Sequence, residues 1–424
     1  MASYMIRGGN RLVGDVTISG SKNAALGIIA ASMLLDGPCK IDHAPNVDDI
    51  NMLVEICRSM GAQIRREADG ALEIDPRFVT NGETIDERSR NIRGSYYLLG
   101  AMLGRFNYAS IYMPGGCNFG PRPIDLHVKG FEALGATTVF EHGRITVSSE
   151  KMQGEHIFLD TVSVGATINI MIAAAKIEGV TVIENAAREP EITNLAQALR
   201  SMGAIISGEG TGTIHVKGDT ALHGATVRTI ADRIEACTYL LAGIITGGEV
   251  VVEDVAPEHL EAFFAKLEEA GAEAWASGGD ARARRSARLS SLSLKALPYP
   301  GFPTDLQPQM MAVLALADGT SIVQDGVFES RFLHVNELQK MGARIDVQGG
   351  TAVITGVPHL RGADVRATDL RAGAALILAG LAASEETAVF QIQHINRGYE
   401  NIVSKLRSLG AAIDLDSSEE EDLA

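Results

Sequence analysis

Two kinds of apolar pattern alternate along the chain. One is an amphipathic helical stretch that closes on Gly-Ala and then runs into a segment of alternating apolar and polar residues. It recurs six times, at Gly61, Gly135, Gly203, Gly271, Gly342 and Gly410. The spacing stays close to about 70 residues, the mark of an internal repeat. "LRSMGAIIS", "LEEAGAEAW", "LQKMGARIDV" and "LRSLGAAIDL" show the form. Glycine at this point predicts a helix closed in the left-handed conformation before the chain enters a strand. The other pattern is a helix that is apolar nearly all round, followed by a tight turn and a strand, as in "NIMIAAAKIEGVTVIENA" and "YLLAGIITGGEVVVEDVA". Such a helix lacks a polar face and must be buried. The strands after it alternate, so their sheets keep one face in water. Six units of this kind predict an α/β protein of two domains with three units each, helices inside and sheets outside. Strand order does not follow from the pattern.

Length and composition narrow the function classes. A chain of 424 residues with 46% apolar and 21% charged residues is an ordinary globular one with room for two or three domains. Its formal charge of -16 argues against a nucleic-acid or anionic-membrane binder, which needs a basic surface. No apolar run is long enough to span a bilayer, and Met1 to Gly14 has no signal-peptide core. Cys39, Cys57, Cys117 and Cys237 form no CxxC pair and no cluster with histidine, so neither a disulfide framework nor a metal site is expected and the cytoplasm is the natural setting. Asp416 to Ala424 is acidic and reads as a solvated end. The locally basic stretch from Ser277 to Arg288 alternates arginine with alanine, as on the wet face of a strand.

Three groups of residues have chemical potential. Gly20-Ser21-Lys22-Asn23 sits between a strand and an apolar helix, where backbone N–H groups and a lysine suit an anion, without the spacing of a nucleotide-triphosphate loop. The glycine- and proline-rich stretch "PGGCNFGPRPIDLH" carries Cys117, with Arg122 five residues on to favour thiolate. Arg93, Arg331, Arg371 and Arg397 each read singly as surface or structural arginines. Taken with Lys22 and Arg122, they have the charge to neutralise a small substrate bearing carboxylate and phosphate. Asp305, at the start of a repeat helix, is as well placed to cap that helix as to do chemistry.

At these residues the chain resembles the UDP-N-acetylglucosamine 1-carboxyvinyltransferase family of enolpyruvyl transferases. "GSKNA", "GGCNFGPRPID", "SVGAT", "AREPEI", "DRIEA", "GFPTD", "ATDLRAGAAL" and "HINRGYE" carry the resemblance, in order and over all but the acidic tail. It implies a two-domain inside-out α/β barrel, with residues 1–22 and 231–424 in one domain and 23–230 in the other. It further implies transfer of the enolpyruvyl group of phosphoenolpyruvate to UDP-N-acetylglucosamine, in peptidoglycan synthesis, without metal or cofactor. On that resemblance Lys22 and Asn23 bind phosphoenolpyruvate, and Arg122, Arg371 and Arg397 clamp its phosphate and carboxylate. Arg93, Arg122, Pro123, Ile124, Asp125, Leu126, Ser163, Val164, Gly165, Asp305 and Val327 hold the nucleotide sugar. Asp305 takes the proton of the sugar 3′-hydroxyl, and Cys117 protonates the methylene carbon and is the target of fosfomycin. The chain departs from the family pattern at Asn118-Phe119, Thr161 and Ala231. Two alternatives stay open: the related 3-phosphoshikimate 1-carboxyvinyltransferases, from which Cys117 and Arg122 to Asp125 set the chain apart, and a non-catalytic paralogue that binds the sugar nucleotide.

Overall fold

The computed structural model describes residues 2–83, 86–113, 124–218 and 220–416. Among them the chain forms a mixed α/β structure in two compact units. One comprises residues 2–19 and 231–416, the other 20–113 and 124–230, and each has its own apolar core.

Each core is built on three helices of the all-apolar kind. Lys22–Ser32, Tyr97–Phe106 and Val164–Ala174 serve the 20–230 unit; Arg233–Thr246, Gln307–Leu314 and Leu370–Ala382 serve the other. Glycines let these helices approach one another closely. Gly100, for example, lies so near Asn169 that a Cβ there would sit 2.3 Å from its carbonyl oxygen.

Six open sheets accompany these helices, three in each unit, and none closes on itself among the described residues. Five have four strands and one common logic: a parallel pair, followed by two antiparallel pairings. Thr226–Arg228 runs parallel to Cys39–Asp42, which pairs antiparallel with Leu72–Asp75, which in turn pairs with Gln63–Arg66. The sixth sheet has three strands, and an isolated parallel bridge from Glu83 to Ser110 stands in the place of the fourth. Ser3–Arg7 and Val13–Thr17 complete two sheets of the 231–416 unit, so the amino-terminal segment belongs with the distant half of the sequence.

All six repeat glycines have positive φ, from 85° to 107°. Each closes its helix in the same way. The N–H of the alanine after it reaches back five residues, as in Ala62 to Cys57, Ala204 to Leu199, Ala343 to Leu338 and Ala411 to Leu406. With the glycine N–H bonded to the carbonyl three residues back, it makes the paired hydrogen bonds of a Schellman end, which satisfy the last carbonyls of the helix. At four ends a side chain adds to it. Arg58, Arg200, Gln339 and Arg407, three residues before the glycine, donate to the carbonyl three residues after it.

The basic stretch is a hairpin of Glu273–Ser277 and Asp280–Arg284, with Ala281 and Ala283 buried and Arg284 outside between Glu273 and Glu249. Cys39, Cys57 and Cys237 are buried, and burial pushes the thiols of Cys39 and Cys57 up to about 12. Cys117 and the acidic residues beyond Asp416 lie outside the described residues. No helix among the described residues is long and apolar enough to cross a membrane.

Candidate active site

In the 20–230 unit the candidate residues gather at helix starts. Ser21 caps the Lys22–Ser32 helix by accepting from the Ala24 N–H, which places Lys22 and the half-buried Asn23 in its first turn. The Lys22 ammonium donates to Asp49 Oδ2 at 2.9 Å, and both side chains are almost wholly covered. Arg93 opens a short turn that rests on the same helix. A Cβ on Gly94 would stand 2.9 Å from Leu26, so only glycine allows this approach without displacing that side chain.

Arg93, Asp125 and Leu126, and Ser163 to Gly165 come from three separate elements, and His127 joins them. Its Nδ1 lies 2.9 Å from the side-chain nitrogen of Asn169, which also donates to the Tyr96 carbonyl at 2.8 Å. The Asn169 oxygen accepts from the Gly100 N–H. An amide nitrogen can only donate, so Nδ1 is the acceptor and the proton of the neutral ring sits on Nε2. That atom faces Gly165, where a Cβ would lie 3.0 Å away. Burial, and then the charge of Arg93, pushes His127 down to about 3. His127 was visible in the sequence only as the residue following Leu126; its role as a hub depends on Asn169, 42 residues away.

In the 231–416 unit Asp305 lies in the short turn Thr304–Leu306 that leads into the Gln307–Leu314 helix. It does not cap that helix, whose N-cap Leu306 has no side-chain bond, so the capping alternative is set aside. The carboxylate lies instead between two arginines. Oδ1 accepts from Arg331 at 2.8 Å and Oδ2 from Arg371 at 3.0 Å. Arg331 is 4% exposed and Arg371 2%, so of the two roles open to them singly neither is that of a surface arginine. Burial alone would raise the Asp305 pKa. Arg371 and then Arg331 reverse that and hold it well below the usual carboxylate range. Arg371 is fixed in turn at the start of the Leu370–Ala382 helix, where Asp369 caps by accepting from the N–H groups of Arg371 and Ala372. Its guanidinium also lies 5.7 Å from the Tyr399 ring. Arg397 is close by in the chain fold, because Gly398 packs directly on Leu370. Val327, partly exposed, donates its N–H to Asp325.

Each unit therefore assembles its own share of the candidate residues: Lys22 paired with the buried Asp49 in one, and the partly exposed Asp305 between the buried Arg331 and Arg371 in the other. Cys117, Arg122 and Pro123 lie outside the described residues.

The comparisons with known proteins bear on this arrangement. The model of the EPSP synthase family, 3-phosphoshikimate 1-carboxyvinyltransferase, matches residues 6–406. The chain belongs to this family. Among its curated members, a UDP-N-acetylglucosamine 1-carboxyvinyltransferase of Clostridium botulinum is 49% identical, over 97% of this chain and 99% of that protein. Among solved structures, the enolpyruvyl transferase NikO from Streptomyces tendae superposes with a TM-score of 0.89 at 27% identity, covering 98% of both chains. An EPSP synthase from Acinetobacter baumannii reaches 0.74 at 18% identity, which speaks to the fold alone. Within the EPSP synthase family, then, the chain is nearly half identical to relatives named for a nucleotide-sugar acceptor.

Proposed function

We propose that this enzyme transfers the enolpyruvyl group of phosphoenolpyruvate to the 3′-hydroxyl of UDP-N-acetylglucosamine, releasing phosphate, as a step of peptidoglycan synthesis in the cytoplasm. The observation that carries the reading is the near-full-length, 49% identity to a relative of that name. The six Schellman ends and six sheets of like order support a finer architecture of six repeats, three in each half of an inside-out barrel pair. On this reading the two compact units are the two domains, with residues 20–22 on the side of the 23–230 domain.

The roles follow from chemistry. Attack of the 3′-oxygen on C2 of phosphoenolpyruvate needs a base for the hydroxyl proton and an acid for the methylene carbon. Asp305 is the base and Cys117 the acid; phosphate then leaves the tetrahedral intermediate as the methyl carbon gives its proton back. Lys22, Asn23, Arg122, Arg371 and Arg397 bind phosphoenolpyruvate. Arg93, Arg122 to Leu126, Ser163 to Gly165, Asp305 and Val327 bind the nucleotide sugar. A carboxylate held between two arginines is a weak base. An incoming anion that draws on Arg371 relaxes this hold, so Asp305 gains basicity when its substrate is present.

The test is phosphate release with phosphoenolpyruvate and each of two acceptors. Turnover with UDP-N-acetylglucosamine and none with shikimate 3-phosphate is expected; the reverse preference assigns the chain to the other branch of the family, and activity with neither supports a binding paralogue.

A further inference from the structure

Asp305 is one end of a longer chain of hydrogen-bonded polar groups, of which Arg331 and Asp325 are buried. Asp325, 3% exposed, ends the strand Thr320–Asp325. Its Oδ1 accepts from the N–H groups of Val327 and Phe328 at 2.9 and 2.8 Å, and its Oδ2 from the Thr304 hydroxyl at 2.6 Å. The Thr304 oxygen accepts from Arg331 Nη1 at 3.1 Å, and the same nitrogen donates to Asp305 at 2.8 Å. The direction of every bond is forced. A carboxylate only accepts and a guanidinium only donates, so the hydroxyl must give its proton to Asp325 and receive from Arg331.

We propose that Thr304 and Asp325 are positioning residues for the Asp305 carboxylate, acting through Arg331, and that Asp325 couples that carboxylate to the Val327–Phe328 turn. The inference rests on the reading of Asp305 as the base. Both N–H bonds of Arg331 Nη1 are committed, one to Thr304 and one to Asp305, so the guanidinium cannot swing toward either without losing the other. The turn holds Arg331 from a second side. The Arg331 N–H donates to the Phe328 carbonyl, and its guanidinium lies 5.7 Å from the Phe328 ring. A group that binds at Val327 therefore acts on the element that orients the base. Arg331 and Arg371 face Asp305 directly, Tyr399 and Asp232 face Arg371, and His334, pushed down to about 4 by burial, faces Arg331 with Asp369 beside it.

The test measures kcat, the KM for UDP-N-acetylglucosamine and the pH dependence of kcat/KM in the full-length protein. An arginine beside a carboxylate lowers its pKa, so loosening Arg331 moves the acid limb of the profile to higher pH. Arg331→Gln is expected to move it by about one unit or more. Thr304→Val moves it the same way by less and lowers kcat by roughly ten- to a hundredfold through misplacement of the base. Thr304→Ser restores both, and Asp325→Asn follows Thr304→Val while also raising KM through the Val327 turn. An Asp305→Asn control separates the two readings. If it costs at least about two orders in kcat while Thr304→Val and Arg331→Gln leave the acid limb in place, the relay is wrong and the base stands. Loss of less than that removes the base, and the relay with it. A lower unfolding midpoint in Thr304→Val, with unchanged limb and kcat, makes the threonine structural only and also overturns the proposal.

Discussion

At the scale of single residues, the informative groups are titratable side chains held in one protonation state. Asp305 is held ionised by two arginines, and His127 is held neutral by burial. For Asp305 the expected outcome is a separation of binding from chemistry. Asp305→Asn should lower turnover by about two to four orders, the scale of a general base, and change nucleotide-sugar affinity far less. Calorimetry set against kinetics checks this, and parallel losses in both would make Asp305 a binding group. For His127 the outcome is a stability slope. An unfolded histidine takes its proton near pH 6.5 and the folded one only at about 3. Between these values the unfolded state binds more protons, so the stability His127 contributes is intact above pH 6.5 and declines as pH falls, by up to ~1.4 kcal/mol per unit. His127→Gln removes that slope. The urea midpoint should therefore drop more between pH 7 and 5.5 in the parent chain than in the variant, and equal drops would place the proton elsewhere.

At the scale of elements, the helix ends separate what the sequence makes legible from what it hides. The six Gly-Ala ends could be read directly, because a left-handed closure has a local cause and leaves a local mark. The all-apolar helices were legible for the same reason. Asp305 was not, since the arginines that claim its carboxylate lie 26 and 66 residues further along. Position alone left capping open, and only packing closed it. The Asn169–His127 bond hid in the same way. Even the repeated glycines differ in a manner the sequence does not show. A Cβ on Gly61 would meet the Phe78 carbonyl oxygen at 2.7 Å and one on Gly203 the Ala221 oxygen at 2.9 Å, whereas at Gly271 and Gly342 nothing lies within 4 Å. Gly342→Ala should then cost only the left-handed strain, about 1–2 kcal/mol. Gly61→Ala adds a clash with backbone that cannot turn aside, and should cost clearly more. Urea unfolding of both variants decides it, and equal costs would mean that the Phe78 segment moves freely.

At the scale of the molecule, the chain makes two cores from one sequence and distributes its described thiols between them. Cys39 and Cys57 lie in the core of the 20–230 unit and Cys237 in that of the 231–416 unit. The grouping of residues 2–19 with the far half was beyond periodicity, because strand pairing between Ser3–Arg7 and Ala412–Asp416 leaves no mark in either segment alone. The thiols turn this division into a measurement. Burial raises all three thiols well above the range in which alkylation proceeds, so each should resist a thiol reagent until its own core opens. Pulse alkylation across a urea gradient, read by mass spectrometry, should label Cys39 and Cys57 in one shared transition. They sit in a single core and are exposed by the same event. Cys237 should follow its own midpoint, set by the other core. The remaining thiol, Cys117, should react without urea if it is the acid proposed above, and Cys117→Ser should abolish native-state labelling. Separate transitions for Cys39 and Cys57 would break the single core of that unit, and native labelling that survives Cys117→Ser would move the reactive thiol into one of the cores.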